Sequence, residues 1–336
     1  MLELTVAICI LLSLILYALL GGADFGGGVW DLLAAGPRAP RQRQAIAEAI
    51  GPIWEANHVW LILVIVLLFT GFPSAFAAML TALNIPLTAM LIGIVLRGSA
   101  FIFRNYDSKS DAVQRRWSTV FGIASVLTPF FQGMTLGALA SGQIRVENGQ
   151  VITGYFAAWL TPFAFACGGF ALALFAFLAA AYLTLDTKGQ PDLQNDFRLR
   201  ALWSGLALAP IAFVVLLTSK QGASEMFQGL TRWQGPLLLA WTSLFAIAAL
   251  AALWLRRFHF ARIAAIGQVT LILVGWSLAQ YPNLVTPDVT VNNAHAPQIT
   301  LRLLVVALGV GGIVLLPSLA FLFHIFKGRE SRGYRE

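Results

Sequence analysis

The sequence predicts an all-α integral membrane protein with nine transmembrane helices, on three observations. Of 336 residues, 58% are hydrophobic and 11% are Asp, Glu, Lys or Arg, whereas an average soluble domain carries about 25% charged residues. Too few charges remain to cover a water-facing surface. Nine stretches are long and apolar enough to cross a hydrocarbon core of about 30 Å, which takes roughly 20 helical residues each. The basic residues also sort by side. With the loops numbered in order, 18 of the 22 Lys and Arg follow odd-numbered spans, and only Arg145, Lys220, Arg232 and Arg302 lie on the other side. The positive-inside rule then puts the N-terminus outside and the C-terminus in the cytoplasm. Dropping one span would scramble every later loop.

The first span, 4–33, has no basic segment ahead of it, its early charge being Glu3, and it runs well past the apolar core of a signal peptide. It reads as a retained span. The second and third, 54–72 and 75–96, share a run from Ala56 to Leu96 without Asp, Glu, Lys or Arg, closed by Arg97. The fourth, 117–140, carries FFQGMTLGAL, where Gln132 suits an interhelical hydrogen bond. The fifth, 155–183, carries CGGF at 167–170, a close-packing pattern. The sixth, seventh and eighth are 200–219, 235–255 and 260–281. The ninth, 301–326, carries GVGGIVLLP at 309–317, another close-packing pattern. The longest loops, near 98–116, 184–199 and 282–300, are too short to fold alone, so 1–336 reads as a single polytopic membrane domain. The segment QYPNLVTPDVTVNNAHAP has the Pro and Asn content of an ordered loop with specific turns. The terminal KGRESRGYRE reads as a polar cytoplasmic tail.

Composition and motifs exclude several classes. Cys9 and Cys167 lie in apolar runs without CxxC or CxxCH, so neither a disulfide framework nor a thiolate metal site nor an attached haem is indicated. There is no Walker A motif, no GxGxxG between strand and helix, and no HExxH, which removes support for nucleotide-driven transport and zinc hydrolysis. The net charge of +7 reports topology, and no nucleic-acid partner is expected.

The informative polar residues sit at span edges, because charges in hydrocarbon cost several kcal/mol. Asp24 follows an uncharged run in GGADFGGGVW. GPIWEANHVWL places Glu55 and His58 about one helical turn apart. With Arg97, three helices bring two carboxylates, an imidazole and a guanidinium to a similar depth at the cytoplasmic end. One reading is a proton-accepting cluster in which Arg97 tunes its neighbours or holds an anion such as a haem propionate. The other is interfacial anchoring, with Trp54 and Trp60 in an aromatic belt. Gly21, Gly22, Gly26, Gly27 and Gly28 around Asp24 permit close approach of another backbone or a cofactor, and tight helix packing alone also explains them. The four histidines, His58, His259, His295 and His324, show no recurring spacing, so no metal ligand is assigned.

GGADFGGGVWDLL, IGPIWEANHVWLI, FFQGMTLGALASG and WSLAQYPNLV together resemble subunit II of the cytochrome bd-type quinol oxidases, including the cyanide-insensitive branch, over nearly the whole chain. The resemblance implies two four-helix bundles plus one peripheral helix. It implies a non-catalytic partner of a haem-bearing subunit I, which holds haems b and d and where quinol and oxygen act. The two would form a heterodimer in the bacterial inner membrane, with membrane lipid around it and room for a small accessory subunit. Some members hold a structural quinone in this subunit, and its contacts here are unassigned. By resemblance Asp24, Glu55 and Arg97 match polar positions of the first three helices, beside the haem-bearing subunit. Where some members carry Asp and Gln, this chain has Glu55 and His58.

Two further readings stay open. A stand-alone proton-coupled secondary transporter would place charged or broken-helix sites near the bilayer midplane, usually in repeated halves. No matching pair of acidic segments occurs in spans five to eight. A purely structural subunit would differ from a proton-delivering one only in its response to substitution at Asp24 and Glu55.

Overall fold

The computed structural model describes residues 1–106 and 111–328, apart from the side chains of 105–106, 111–112, 114–115, 323–324 and 326–328. The terminal tail beyond 328 and the His324 side chain lie outside the described residues. Helices dominate in the order α1 (Leu2–Leu32), α2 (Ala39–Ile50), α3 (Trp54–Gly71), α4 (Pro73–Ala82), α5 (Asn84–Tyr106) and α6 (Asp111–Ala140). After the short strands β1 (Val146–Glu147) and β2 (Gln150–Val151) come α7 (Pro162–Asp186), α8 (Pro191–Gly222), α9 (Ser224–Thr231), α10 (Gly235–Trp254) and α11 (Phe258–Gln280). The strands β3 (Asn283–Val285) and β4 (Val289–Thr290) and the helix α12 (Gln298–Gly328) complete the chain. Among the described residues, nine helices are long and apolar enough to span a membrane: α1, α3, α5, α6, α7, α8, α10, α11 and α12.

Two four-helix groups share a seam. Helices α1, α3, α5 and α6 pack as one, and α7, α8, α10 and α11 as the other, with α1 and α6 lying against α7. Small residues make that seam close. A Cβ at Gly133 would lie 2.6 Å from Ala171 Cβ, and one at Gly168 would lie 2.7 Å from the Phe130 carbonyl oxygen. Gln132 Nε2 donates to Tyr17 Oη at 2.8 Å, tying α6 to α1. Helix α12 stands apart, touching α1 and α3. Its Gly309, Gly311 and Gly312 face open space within this chain, which corrects the expectation of a packing patch there: a small-residue pattern cannot say whether its neighbour belongs to the same chain.

Some boundaries also move. The third span starts at Asn84 rather than 75, because Pro73–Ala82 forms a separate short helix after Phe72. The fifth starts at Pro162 rather than 155: Thr161 caps it, its hydroxyl accepting from the Ala164 amide at 3.2 Å, and proline is favoured at the first helical position. The sixth begins at Pro191, nine residues before 200, since Arg198 and Arg200 lie on its helical face. The first cytoplasm-assigned loop holds α2, whose buried Ala39, Gln42, Ile46 and Ile50 recur at helical spacing.

The loops cluster by parity. After even-numbered spans, α4 packs against the β3–β4 hairpin, Ala296 N donates to the Gly71 carbonyl at 2.8 Å and Thr286 N to the Leu139 carbonyl at 3.1 Å. The segment after α11 is ordered: Asn293 bonds Thr290 and Asp288. On the opposite side, Asp196 accepts from Arg38 at 2.7 Å and from Gln42 at 2.7 Å, joining the start of α2 to the start of α8.

A cross-loop ion pair makes the hairpin side sensitive to acid. Asp288 accepts from Arg145 Nε at 2.8 Å and from the Val146 amide at 2.9 Å, and Arg145 foremost holds its carboxyl below the usual range. A depressed carboxyl contributes stability above its unfolded pKa of about 3.9 and loses it as pH falls through the lower folded value. Amide exchange at 144–153 is therefore expected to quicken on acidification below about pH 4, and Asp288→Asn to show fast exchange already at neutral pH. Equal protection in both proteins would refute the coupling.

Candidate functional site

The local sequence around Asp24 explains its surroundings. Gly26 lies so close to the Phe175 carbonyl, and Gly28 to the Ser125 hydroxyl, that a side-chain carbon would overlap them. A Cβ at Gly22 would meet the Phe175 ring at 2.6 Å, one at Gly27 would meet Ile50 Cδ1 at 2.7 Å, and one at Gly21 the Tyr17 ring of its own helix at 2.7 Å. The glycines draw α2, α6 and α7 onto α1 and bury Asp24 and Phe25.

Asp24 Oδ2 accepts from Asn57 Nδ2 at 2.8 Å. Arg97, 2% exposed, donates from Nη2 to the Asp24 backbone carbonyl at 3.0 Å. Its guanidinium lies between aromatic faces, 4.8 Å from the Phe25 centroid and 5.1 Å from that of Phe121, a cation–π arrangement that favours a desolvated cation. His58 sits among Tyr17, Phe25 and Trp54, with ring centroids 6.0, 5.9 and 6.1 Å away. Glu55 points away on the exposed side of α3. The structure thus brings Asp24, Arg97 and His58 into one neighbourhood around Phe25 and leaves Glu55 outside it.

Three residues escape sequence reading. Asn57, between the two that were singled out on that helix, is the one that reaches Asp24. Asp31, 1% exposed, pairs with Arg104 Nη1 at 3.0 Å. Arg104 lies 5.3 Å from the Phe121 centroid, so Phe121 is shared by both arginines. Asp24 and Asp31, and likewise Arg97 and Arg104, are two helical turns apart, and the two rows run side by side on α1 and α5.

A cavity of about 80 Å³ adjoins the buried carboxylate, with room for a few water molecules. Its lining includes Asp24 and Asn57, both buried, and Asp186 and Arg262, which are exposed and half-buried. Arg262 lies 4.4 Å from the ring centroid of Tyr182, another wall residue. One hollow thus touches both the buried acid and the surface on the α2 side.

Two other histidines lie apart from this cluster. The His259 side chain is exposed at the start of α11, and His295, on the hairpin side, has its Nδ1 2.9 Å from the Ala296 carbonyl. Among the described residues, no group of three or more His, Cys, Asp or Glu could hold a metal ion.

The fold and site therefore define a polytopic helical membrane protein with a buried polar row beside a cavity that can hold a few water molecules. The family model for cytochrome bd terminal oxidase subunit II matches residues 2–326, and the chain belongs to that family. It is a subunit of a quinol oxidase, an oxidoreductase complex whose haems generally lie in the partner subunit. It is 24% identical over 332 residues to a putative cytochrome bd menaquinol oxidase subunit II of Bacillus subtilis (strain 168), covering 96% of this chain and 94% of that protein. It is 27% identical to a cytochrome bd ubiquinol oxidase subunit 2 of the same organism, covering 93% and 92%. The bd oxidase structure from Geobacillus thermodenitrificans shares the fold at a TM-score of 0.76 and 20% identity, over 97% of this chain and 98% of that one.

Proposed function

We propose that this chain acts in a heterodimer with a subunit I that holds haems b and d, and that it helps deliver protons to the oxygen-reducing site there. The observation that carries this reading is the cavity that touches both Asp24 and the surface. Reduction of oxygen to water by quinol consumes protons, and a buried carboxylate reached by water can relay them. In this reading the side bearing α2, Asp186 and Arg262 faces the cytoplasm, the N-terminus lies outside, and 1–336 works as one domain of the bacterial inner membrane. Asp24 is the relay group and Asn57 orients its carboxylate. Arg97 and His58 set the field around it, and Glu55, exposed on α3, faces subunit I. The apolar surface of α12, with its open glycines, suits contact with a second subunit or lipid. The named relatives are a menaquinol and a ubiquinol oxidase subunit, so the electron donor is a quinol of one of these classes, and a structural quinone in this chain and a small accessory subunit fit the same reading.

Purification through a tag on this chain is expected to bring a haem-containing membrane partner and quinol-driven oxygen consumption. A colourless single chain that carries a solute across vesicles would replace this reading with the transporter.

A further inference from the structure

We propose that the loop between α10 and α11 binds the headgroup of an anionic phospholipid, through Arg256 and Arg257 beside Arg198. Helix α10 ends in a Schellman turn: the Arg257 amide donates to the Ala252 carbonyl at 2.7 Å and the Arg256 amide to the Leu253 carbonyl at 3.2 Å. The residue at the turn's left-handed position is usually glycine. Here it is Arg256, with φ +56°, a conformation unfavourable for a residue with a Cβ. The backbone alone would be better served by glycine, so the side chain is the feature that calls for explanation.

That side chain enters a cluster of like charge. Arg198 is fixed by Nε to the Leu253 carbonyl at 2.8 Å and by Nη2 to the Trp254 carbonyl at 3.1 Å. Both Arg198 Nη1 and Arg256 Nη2 donate to Asn195 Oδ1, at 3.3 and 3.4 Å. Two guanidinium groups thus share one neutral acceptor, and Arg257 adds a third, exposed charge. Among the described residues none of the three arginines makes an ion pair. An anion is the natural complement of such a cluster.

The surroundings favour a lipid as the source of that anion. Trp254, its ring centroid 5.8 Å from the Arg198 guanidinium, is 70% exposed, and Leu255 of the same turn 66%; Trp203, just over one helical turn beyond Arg198 on α8, is 71% exposed, and such amphipathic tryptophans occupy the headgroup level. The helix that delivers Arg256 is itself mostly open on its apolar faces, with Leu237, Trp241, Leu244 and Ile247 exposed. A phosphate at the arginines would have acyl chains running along α10.

The test uses the detergent-solubilised oxidase complex, its melting followed while phosphatidylglycerol or phosphatidylcholine is added. Phosphatidylglycerol is expected to raise the melting temperature and phosphatidylcholine to leave it unchanged. Arg256→Gly should melt no lower than the parent without lipid, since glycine suits the turn. It should need about five-fold more phosphatidylglycerol for the same shift, as expected for one lost cation near a membrane surface. Identical phosphatidylglycerol responses in both proteins would overturn the proposal. So would inorganic phosphate reproducing the full shift, which would make this a site for free anions.

Discussion

Arg104→Leu is expected to destabilise the subunit by about 3–5 kcal/mol, the range for removing one partner of a buried ion pair. Asp31 is 1% exposed and takes its charge partner from Arg104 at 3.0 Å. Its other carboxylate oxygen has no hydrogen-bond partner among the described residues. Arg43 donates to the Asp31 and Ala34 backbone carbonyls, so it secures the end of α1 without replacing Arg104 at the carboxylate. The substitution also removes the cation from the Phe101 and Phe121 faces. The consequence should appear as a lower yield of assembled haem-containing complex and a lower melting temperature. Asp31→Leu combined with Arg104→Leu is expected to be less damaging than Arg104→Leu alone, because the double variant leaves no unpaired charge behind. If the double variant were as unstable as the sum of the single ones, the pair would not be acting as a unit.

The spans were legible because hydrocarbon sets a length and the cytoplasmic side collects arginine, and both leave marks in one dimension. Helix α2 was legible in principle: the helical spacing of Ala39, Gln42, Ile46 and Ile50 is present in the sequence, but a charged segment of 12 residues reads first as a loop. The split at Phe72 hides inside a continuous apolar run, where hydropathy registers no boundary. The polar row was half-legible. Asp24 and Arg97 stand out by ending uncharged runs, whereas recognising Asp31 and Arg104 requires noticing that two acids and two arginines repeat the same two-turn spacing on separate helices. The rotation of α3 was beyond the sequence. Its Glu55 and His58 share a face by spacing, yet the helix turns Asn57 toward Asp24, and an apolar helix with almost no amphipathic bias offers no phase from which to foresee this. The lipid-facing and partner-facing surfaces are alike in composition, so the open glycines of α12 could not be told from an internal packing patch.

Asp24→Asn is the substitution on which the proton-delivery proposal turns. Asparagine keeps the size of the side chain, and its amide oxygen can still accept from Asn57, whose Nδ2 lies 2.8 Å from Oδ2 in the parent. The Arg97 hydrogen bond is to the Asp24 backbone carbonyl and survives the change; what the guanidinium loses is the charge of the neighbouring carboxylate, while the Phe25 and Phe121 faces still enclose it. Packing around Phe25 and the glycines is likewise untouched, so the complex should assemble with unaltered haem absorption. What asparagine lacks is a titratable proton. Loss of a positioned acid–base group commonly costs 10²–10⁴-fold in rate, so quinol-driven oxygen consumption is expected to fall by about 10²-fold or more. Asp24→Glu should recover part of the rate, because the cavity beside the carboxylate can take one more methylene. The solvent deuterium effect on turnover should grow in the asparagine variant as proton supply becomes limiting, a response that weakened packing alone does not produce. Normal turnover with normal haem absorption would sink the relay and leave Asp24 as a structural acid on the α1–α3 seam. Lost haem absorption in Asp24→Asn, restored by Asp24→Glu without a change in isotope effect, would also count against the relay and point to the carboxylate as an assembly contact.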